Sequence, residues 1–355
     1  MATDDRPRQG GSAHAEQGMS KAFGRKGDRE LRSHFLWYLG STRNAVQAVM
    51  PNFRLVDVPA DEPVPVEPLG FDSAAAALGW FETERANLLA AMRSALDQRH
   101  FDLAWRLPAV AYPLFEMHRH RDEWRQMHLW GLDAARLLGD RHGEARNLLG
   151  LGDAEWLLGN LPAALDRYAA ALTANRDVDD GWIEGFALRQ AGLIRWQQDR
   201  AAGAPDLLRQ AIEAFRRAGE RRGEGMALLS LADCERSTAN IDRALAHSLA
   251  ARTIFTEIDD TWSIAWSRCS LAAALVSAGR YPKAVAEYRA ARGVFHELGH
   301  REGESASLIG MGEAFTALGD TDQARMHLGA ALDLLRSVDD PRADEVEAMI
   351  ARLPE

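Results

Sequence analysis

The chain has few of the residues that most often announce chemistry. Its 355 residues include two cysteines, Cys234 and Cys269, neither in a CxxC or CxxH setting. That excludes a disulfide framework and a zinc-finger site, and it suits a reducing compartment. Lysine is confined to Lys21, Lys26 and Lys283. A Walker A loop needs Gly-Lys-Ser/Thr so that backbone amides and the lysine cradle phosphates; none of the three stands in that setting, so no direct ATP-driven switching is expected. HExxH, GxSxG and a GxGxxG in strand context are missing too, leaving no catalytic set and no cofactor to expect. No apolar run approaches the roughly 18 residues that span a bilayer, and the polar N-terminus lacks the apolar centre of a signal peptide. A formal charge of −10 argues against attraction to nucleic acid or an anionic membrane. A soluble, cytoplasmic protein is expected.

What is present is one unit of forty residues, repeated. From Gly152 the step gives Gly192, Ala232, Ala272 and Gly312; from Ala164 it gives Ala204, Ala244, Ala284 and Ala324; from Ala171 it gives Ala211, Ala251, Ala291 and Ala331. Larger residues keep the period as Leu148, Leu188, Leu228 and Leu308, interrupted by Arg268, and as Phe215, Phe255, Phe295 and Leu335 after Asn175. A fixed period of this length is the mark of a solenoid. Each unit reads as two helices around a turn, such as His142 to Leu158 and Ala163 to Asn175, with Gly159-Asn160 between them and Pro162 where a first helical turn tolerates it. Short connections make the pair antiparallel, and a small residue at the crossing lets the axes approach.

The organisation expected is an all-α solenoid: a disordered tail over 1–27, a helix over 28–50, a proline-rich linker over 51–71, capping helices with a degenerate first repeat over 72–138, five repeats over 139–339 and a capping helix over 340–355. The linker carries five prolines in the twenty residues from Pro51, which forbids regular helix and predicts an extended crossing, ordered only where it lies on neighbouring helices. Helices are expected from Asp72 to about Gln98, from Phe101 to Met117 and from Asp122 to Leu138. At the position forty before Ala164 stands Trp124, so the small-residue rule already fails in that first repeat, as end repeats often do.

Leu151-Gly152, Ala164, Tyr168 and Ala171 have the internal spacing of the tetratricopeptide (TPR) motif, and Leu271-Ala272, Ala284, Tyr288 and Ala291 match as well. The usual period is 34, so each unit resembles a TPR with longer helices and linkers. The phrases GDRHGEARNLLGLGDAEWLLGN, GERRGEGMALLSLADCERS, GHREGESASLIGMGEAFTALGD and ALGWFETERANLLAAM resemble the C-terminal region of actinobacterial SARP-type and related NB-ARC/STAND transcriptional regulators. The resemblance implies a right-handed superhelix and the sensing or interaction arm of such a regulator. Their DNA-binding and ATPase domains have no counterpart in the sequence.

The candidate binding residues come from helical geometry. On the first helix of a repeat, Leu148, Leu151, Gly152 and Glu155 share one side, and Arg146, Leu149, Asp153 and Trp156 the other. In the TPR family that second stripe lines the concave groove. Across repeats it yields a row of Arg146, Phe186, Met226, Trp266 and Ala306, a row of Trp156, Trp196, Arg236, Val276 and Thr316, and a row of Asp153, Leu193, Asp233, Ala273 and Glu313, with Arg189 beside them. Aromatic and methionine residues among Arg and Asp suit an amphipathic helix, a peptide or an apolar ligand. The competing reading is that these long helices bury both stripes and the aromatics are core. His118, His120 and His128 near Asp122 and Glu123 form the best metal-like cluster, but 118 and 120 point away from each other on a helix, so no metal is expected. The functional expectation is a non-enzymatic scaffold or adaptor that binds a protein or peptide in its groove in transcriptional regulation. The alternative is a small-molecule binder or enzyme of a specialised-metabolite pathway with the aromatic groove as pocket; a homodimer stays open.

Overall fold

The computed structural model describes residues 12–58, 66–118, 120–199, 203–337 and 340–354. Among the described residues there is no strand. The helices are α1 (Ser12–Val49), α2 (Ala74–Asp97), α3 (Phe101–Ala104), α4 (Arg106–His118), α5 (Arg121–Leu138), α6 (Arg141–Leu157), α7 (Leu161–Asn175), α8 (Gly181–Asp199), α9 (Ala204–Arg217), α10 (Arg221–Ser237), α11 (Ile241–Glu257), α12 (Thr261–Ser277), α13 (Tyr281–Glu297), α14 (Arg301–Leu318), α15 (Thr321–Arg336) and α16 (Arg342–Ala351). From α6 to α15 they form five antiparallel pairs, one per forty residues, and α16 packs on α15. The fold is an all-α TPR-type solenoid.

Each repeat is punctuated at both ends of both helices. Positive φ recurs at steps of twenty residues, at Gly139, Gly159, Asp179, Gly219, Ala239, Asp259, Gly279, Gly299 and Gly319, except between α8 and α9, where it falls on Gly203 and not on position 199. In the twenty-residue series this left-handed residue ends one helix so that the next can turn back within three residues, or five at Asp179 between α7 and α8, and glycine meets it without steric cost. The residue after it stands immediately before the next helix, as its N-terminal cap. Asp140, Asp260, His300 and Asp320 accept from the backbone N–H three residues on, at 2.8, 3.0, 3.0 and 3.2 Å, which satisfies an amide the helix itself leaves unpaired.

The periodic small residues are the crossings. Ala164, Ala204, Ala244, Ala284 and Ala324 are fully buried, and a Cβ at Gly152 would overlap the Tyr168 ring. The periodic rings Phe215, Phe255 and Phe295 are fully buried as well. Phe295 closes its own repeat onto the next, because a Cβ on Gly303 would stand 2.5 Å from its ring. Close approach and ring burial are thus the packing reason for the forty-residue period. Trp124, where the small-residue rule fails, is buried in the first, degenerate repeat and edges onto Tyr112 at 5.3 Å.

Two expectations are corrected. Helix α1 begins at Ser12, inside the stretch read as a disordered tail; residues 1–11 of that stretch lie outside the described residues. The helix expected from Phe101 to Met117 is broken at Trp105 into α3 and α4. Pro108 explains the break, since its ring would clash with the Ala104 carbonyl four residues back and it supplies no N–H. The proline-rich linker divides into two described parts. Residues 66–70 run back along α1, with the Ser41 hydroxyl accepting from the Leu69 N–H at 3.0 Å and Asn44 donating to the Leu69 carbonyl at 2.8 Å. Residues 51–58 leave α1 and cross the solenoid.

Candidate functional site

Successive first helices of the repeats, α6, α8, α10, α12 and α14, pack on one another, and α4 extends that row at the N-terminal end. They form the inner layer of the superhelix, with α7, α9, α11, α13 and α15 outside. The coil brings the ends of this layer towards each other: Tyr112, Glu116 and Met117 of α4 share a hollow of about 220 Å³ with Trp262 and Trp266 of α12 and His300 and Glu302 of the α14 start. A second hollow of about 390 Å³ lies between α8, α10 and α12, lined by Arg189, Met226, Asp233, Trp262, Trp266 and Tyr288 among others. Trp262 and Trp266 belong to both, so the two hollows are parts of one inner surface.

Of the ten residues expected to form a groove, Asp153, Trp156, Phe186, Arg189, Met226, Asp233 and Trp266 line these hollows or the smaller one beside Phe53. Trp156, Phe186, Arg189, Trp196, Met226, Asp233, Arg236 and Trp266 are half-buried, whereas Arg146 and Asp153 are buried. On α6, therefore, the stripe opposite Leu148 is packed nearly as well as the stripe that carries it. Asp153 accepts from the Tyr112 hydroxyl at 2.5 Å, the Tyr168 hydroxyl at 2.5 Å and the Gln190 amide at 2.6 Å, tying α4, α7 and α8 to α6. Burial raises its carboxyl against the pull of those donors, and burial with the nearby Asp153 charge holds both tyrosines well above their ordinary value. Arg146 lays its guanidinium 4.0 Å over the Trp182 ring, a cation–π contact strengthened by burial.

Further along the solenoid the inner face opens. Arg189 donates to the Met226 carbonyl at 3.3 Å, the Ser230 hydroxyl at 3.0 Å and the Gln190 amide oxygen at 2.9 Å. All three acceptors are neutral, and burial lowers its pKa. Glu116 is solvent-accessible, yet the protein around it displaces enough bulk water to push its carboxyl up to about 7 against the pull of Arg222. Trp262 and Trp266 stand edge-on to His300 at 5.7 and 5.9 Å, and Trp266 packs on Phe295 at 5.0 Å. Trp196 and Trp156 reach the next repeat, donating to Ser237 at 2.9 Å and Gln197 at 3.1 Å. Among the described residues no cluster of His, Cys, Asp and Glu is arranged to hold a metal ion. His128 is buried against Asn147 at 3.0 Å, and burial pushes its imidazole down to about 4, while His120 contacts Glu82 at 2.8 Å.

Sequence reasoning missed one whole row. Trp182, Arg222, Trp262 and Glu302 precede Phe186, Met226, Trp266 and Ala306 by four, hence lie on the same stripe one turn nearer the helix start; the forty-residue step through them was legible. Tyr112 and Glu116 carried no such signal, because they come from the degenerate repeat.

The architecture defines a TPR solenoid with an aromatic inner face, and comparison with known proteins agrees. Residues 263–337 match the tetratricopeptide repeat family. The chain is 27% identical over 246 residues, 68% of its length, to the regulatory protein AfsR of Streptomyces coelicolor, and 24% identical over 360 residues to AfsR of Streptomyces griseus. It spans 24% and 35% of the lengths of those two proteins. Among solved structures, a Rap protein complexed with competence and sporulation factor superimposes with a TM-score of 0.54 at 16% identity, covering 74% of this chain and 79% of that one. A signal-transduction ATPase with numerous domains (STAND) and a TPR sensor, from Pyrococcus horikoshii, gives 0.51 at 15% identity, covering 78% of this chain and 48% of that one. The chain thus resembles the TPR region of such regulators.

Proposed function

We propose that the inner face of the solenoid captures a protein or peptide partner as the interaction arm of a cytoplasmic regulatory system. One observation carries this reading. From Trp156 through Phe186 and Met226 to Trp266, half-buried apolar side chains from four successive repeats border connected hollows, with the Arg189 guanidinium among them hydrogen-bonded, among the described residues, to neutral acceptors. An elongated apolar strip with an underused cation suits a segment that engages several repeats at once. Support comes from the Rap protein, whose similar fold was solved with competence and sporulation factor bound, and from the regulatory AfsR proteins. Two buried free cysteines fit the reducing cytoplasm.

The test is capture by the immobilised chain in lysate of its own organism, comparing wild type with Met226→Glu on the inner face and Leu249→Ser on the outer. Leu249 is 42% exposed, so its replacement controls for surface chemistry. A small molecule is the second reading, favoured by the hollow of about 390 Å³ between α8, α10 and α12, within the usual ligand-site range. A small ligand would be sensitive to Met226 and Trp266 but not to Trp156, whereas a partner spanning the repeats would be sensitive to all three.

A further inference from the structure

Residues 51–58 are the part of the inner surface that the groove reading leaves unexplained. They form no helix. Among the described residues, the only backbone-to-backbone hydrogen bond made by their N–H groups is Phe53 to the Met50 carbonyl at 3.0 Å. Side chains hold the segment. The Phe53 ring is stacked on Tyr112 at 5.7 Å and meets the edge of Trp182 at 6.0 Å, and it is only 9% exposed. The Arg54 guanidinium bridges Asp180 at 3.1 Å and Glu220 at 2.9 Å, the residues immediately before α8 and α10. Arg146 donates to the Arg54 carbonyl at 3.2 Å, and Asn52 donates to the Ile258 carbonyl at 2.9 Å. An aromatic anchor, a charged anchor and a captured carbonyl, with no strand pairing, are how an extended peptide is held.

We propose that the starts of α6, α8 and α10, with Tyr112, form a binding site for an extended peptide in which an aromatic residue is followed directly by arginine, and that this chain's own Phe53-Arg54 occupies it in cis. A partner presenting that pair competes for the site when the segment lifts. Charge complementarity supports this occupant: the receiving groups are two carboxylates on successive repeats, and the arginine that spans them is still 40% exposed at its side chain. The site deepens the groove reading and shares its inner wall, since Phe53 and Arg54 border a hollow with Phe186, Arg189 and Met226.

The probe is a fluorescent synthetic peptide with the sequence of residues 50–58, titrated by anisotropy against the full chain. In the wild type the tethered segment competes at an effective concentration on the order of millimolar, so the free peptide binds weakly. In Phe53→Ala/Arg54→Ala the site is vacated, and peptide affinity rises by about tenfold or more. Adding Glu220→Gln, or replacing arginine by alanine in the peptide, removes that gain. Arg54→Ala alone, which leaves the buried ring in place, guards against a double variant that does not fold and still raises affinity measurably. A folded Arg54→Ala chain that binds no better than wild type, or a gain indifferent to Glu220 and to the peptide's arginine, would overturn the proposal. The probe needs no natural partner, so failure of the groove reading would show instead as unchanged capture by Met226→Glu with peptide binding intact.

Discussion

Replacing Asp153 separates packing from recognition on the inner face. Its carboxylate is buried and accepts from Tyr112, Tyr168 and Gln190, all buried themselves. Asp153→Ala leaves three donors from three helices without their acceptor. Each buried donor left unpaired costs about 1 to 3 kcal/mol. The losses do not simply add, because hydroxyls can turn to other acceptors and removing a buried carboxylate returns part of its desolvation cost. A net loss of about 3 to 5 kcal/mol is expected, comparable to breaking a buried charged network. Asp153→Asn keeps one oxygen acceptor but turns an N–H2 towards donors, so about 1 to 2 kcal/mol is expected from the same considerations. Urea unfolding followed by circular dichroism reads the change as a lower midpoint. A loss below about 1 kcal/mol for Asp153→Ala would refute the reasoning, and would mean that Asp153 faces a ligand instead of clamping α4, α7 and α8 to α6.

Two further outcomes follow from the fold. Burial holds His128 at about 4, below the ordinary imidazole value near 6.5; between those values the unfolded chain binds the extra proton, so stability falls as pH drops through that window, by up to about 3 kcal/mol. His128→Gln should flatten the melting temperature between pH 6.5 and 4 relative to wild type, and an unchanged pH profile would contradict the assignment. Ala239 holds φ of 62° at a position in the twenty-residue series that glycine fills at Gly139, Gly159, Gly219, Gly279, Gly299 and Gly319. Ala239→Gly should therefore stabilise the chain by up to about 1 kcal/mol, the relief of the left-handed strain less the entropy glycine loses, and a lower denaturation midpoint would count against that explanation.

The repeat was legible because its packing is written in residue size. Ala164 to Ala324 fit their crossings because they are small, and Phe215, Phe255 and Phe295 fill the same buried place in three successive repeats, so the period survives in the letters. The inner face was legible as a stripe but not as a degree of burial. On α6 the stripe is covered by α4, α8 and the Arg54 backbone, and nothing local to Arg146 or Asp153 distinguishes that cover from solvent. The crossing of residues 51–58 was hidden for the opposite reason. Its proline-rich sequence has no periodicity, and its contacts are remote, Asn52 with Ile258 being 206 residues apart. The break at Trp105 was readable in principle from Pro108, whose effect falls four residues upstream.

The proposal that the inner face recognises a partner is tested most directly by capture from the organism's own lysate with wild type and Met226→Glu side by side, each checked for an unchanged melting temperature. Met226 is half-buried at the hollow between α8, α10 and α12, so a carboxylate there can reach water while spoiling an apolar contact. The expected result is a partner retained by wild type and by Leu249→Ser and lost from Met226→Glu, since truncating or charging a central interface anchor costs about 2 kcal/mol or more in binding. A partner held equally by all three would place recognition elsewhere on the solenoid and contradict the assignment of the inner face.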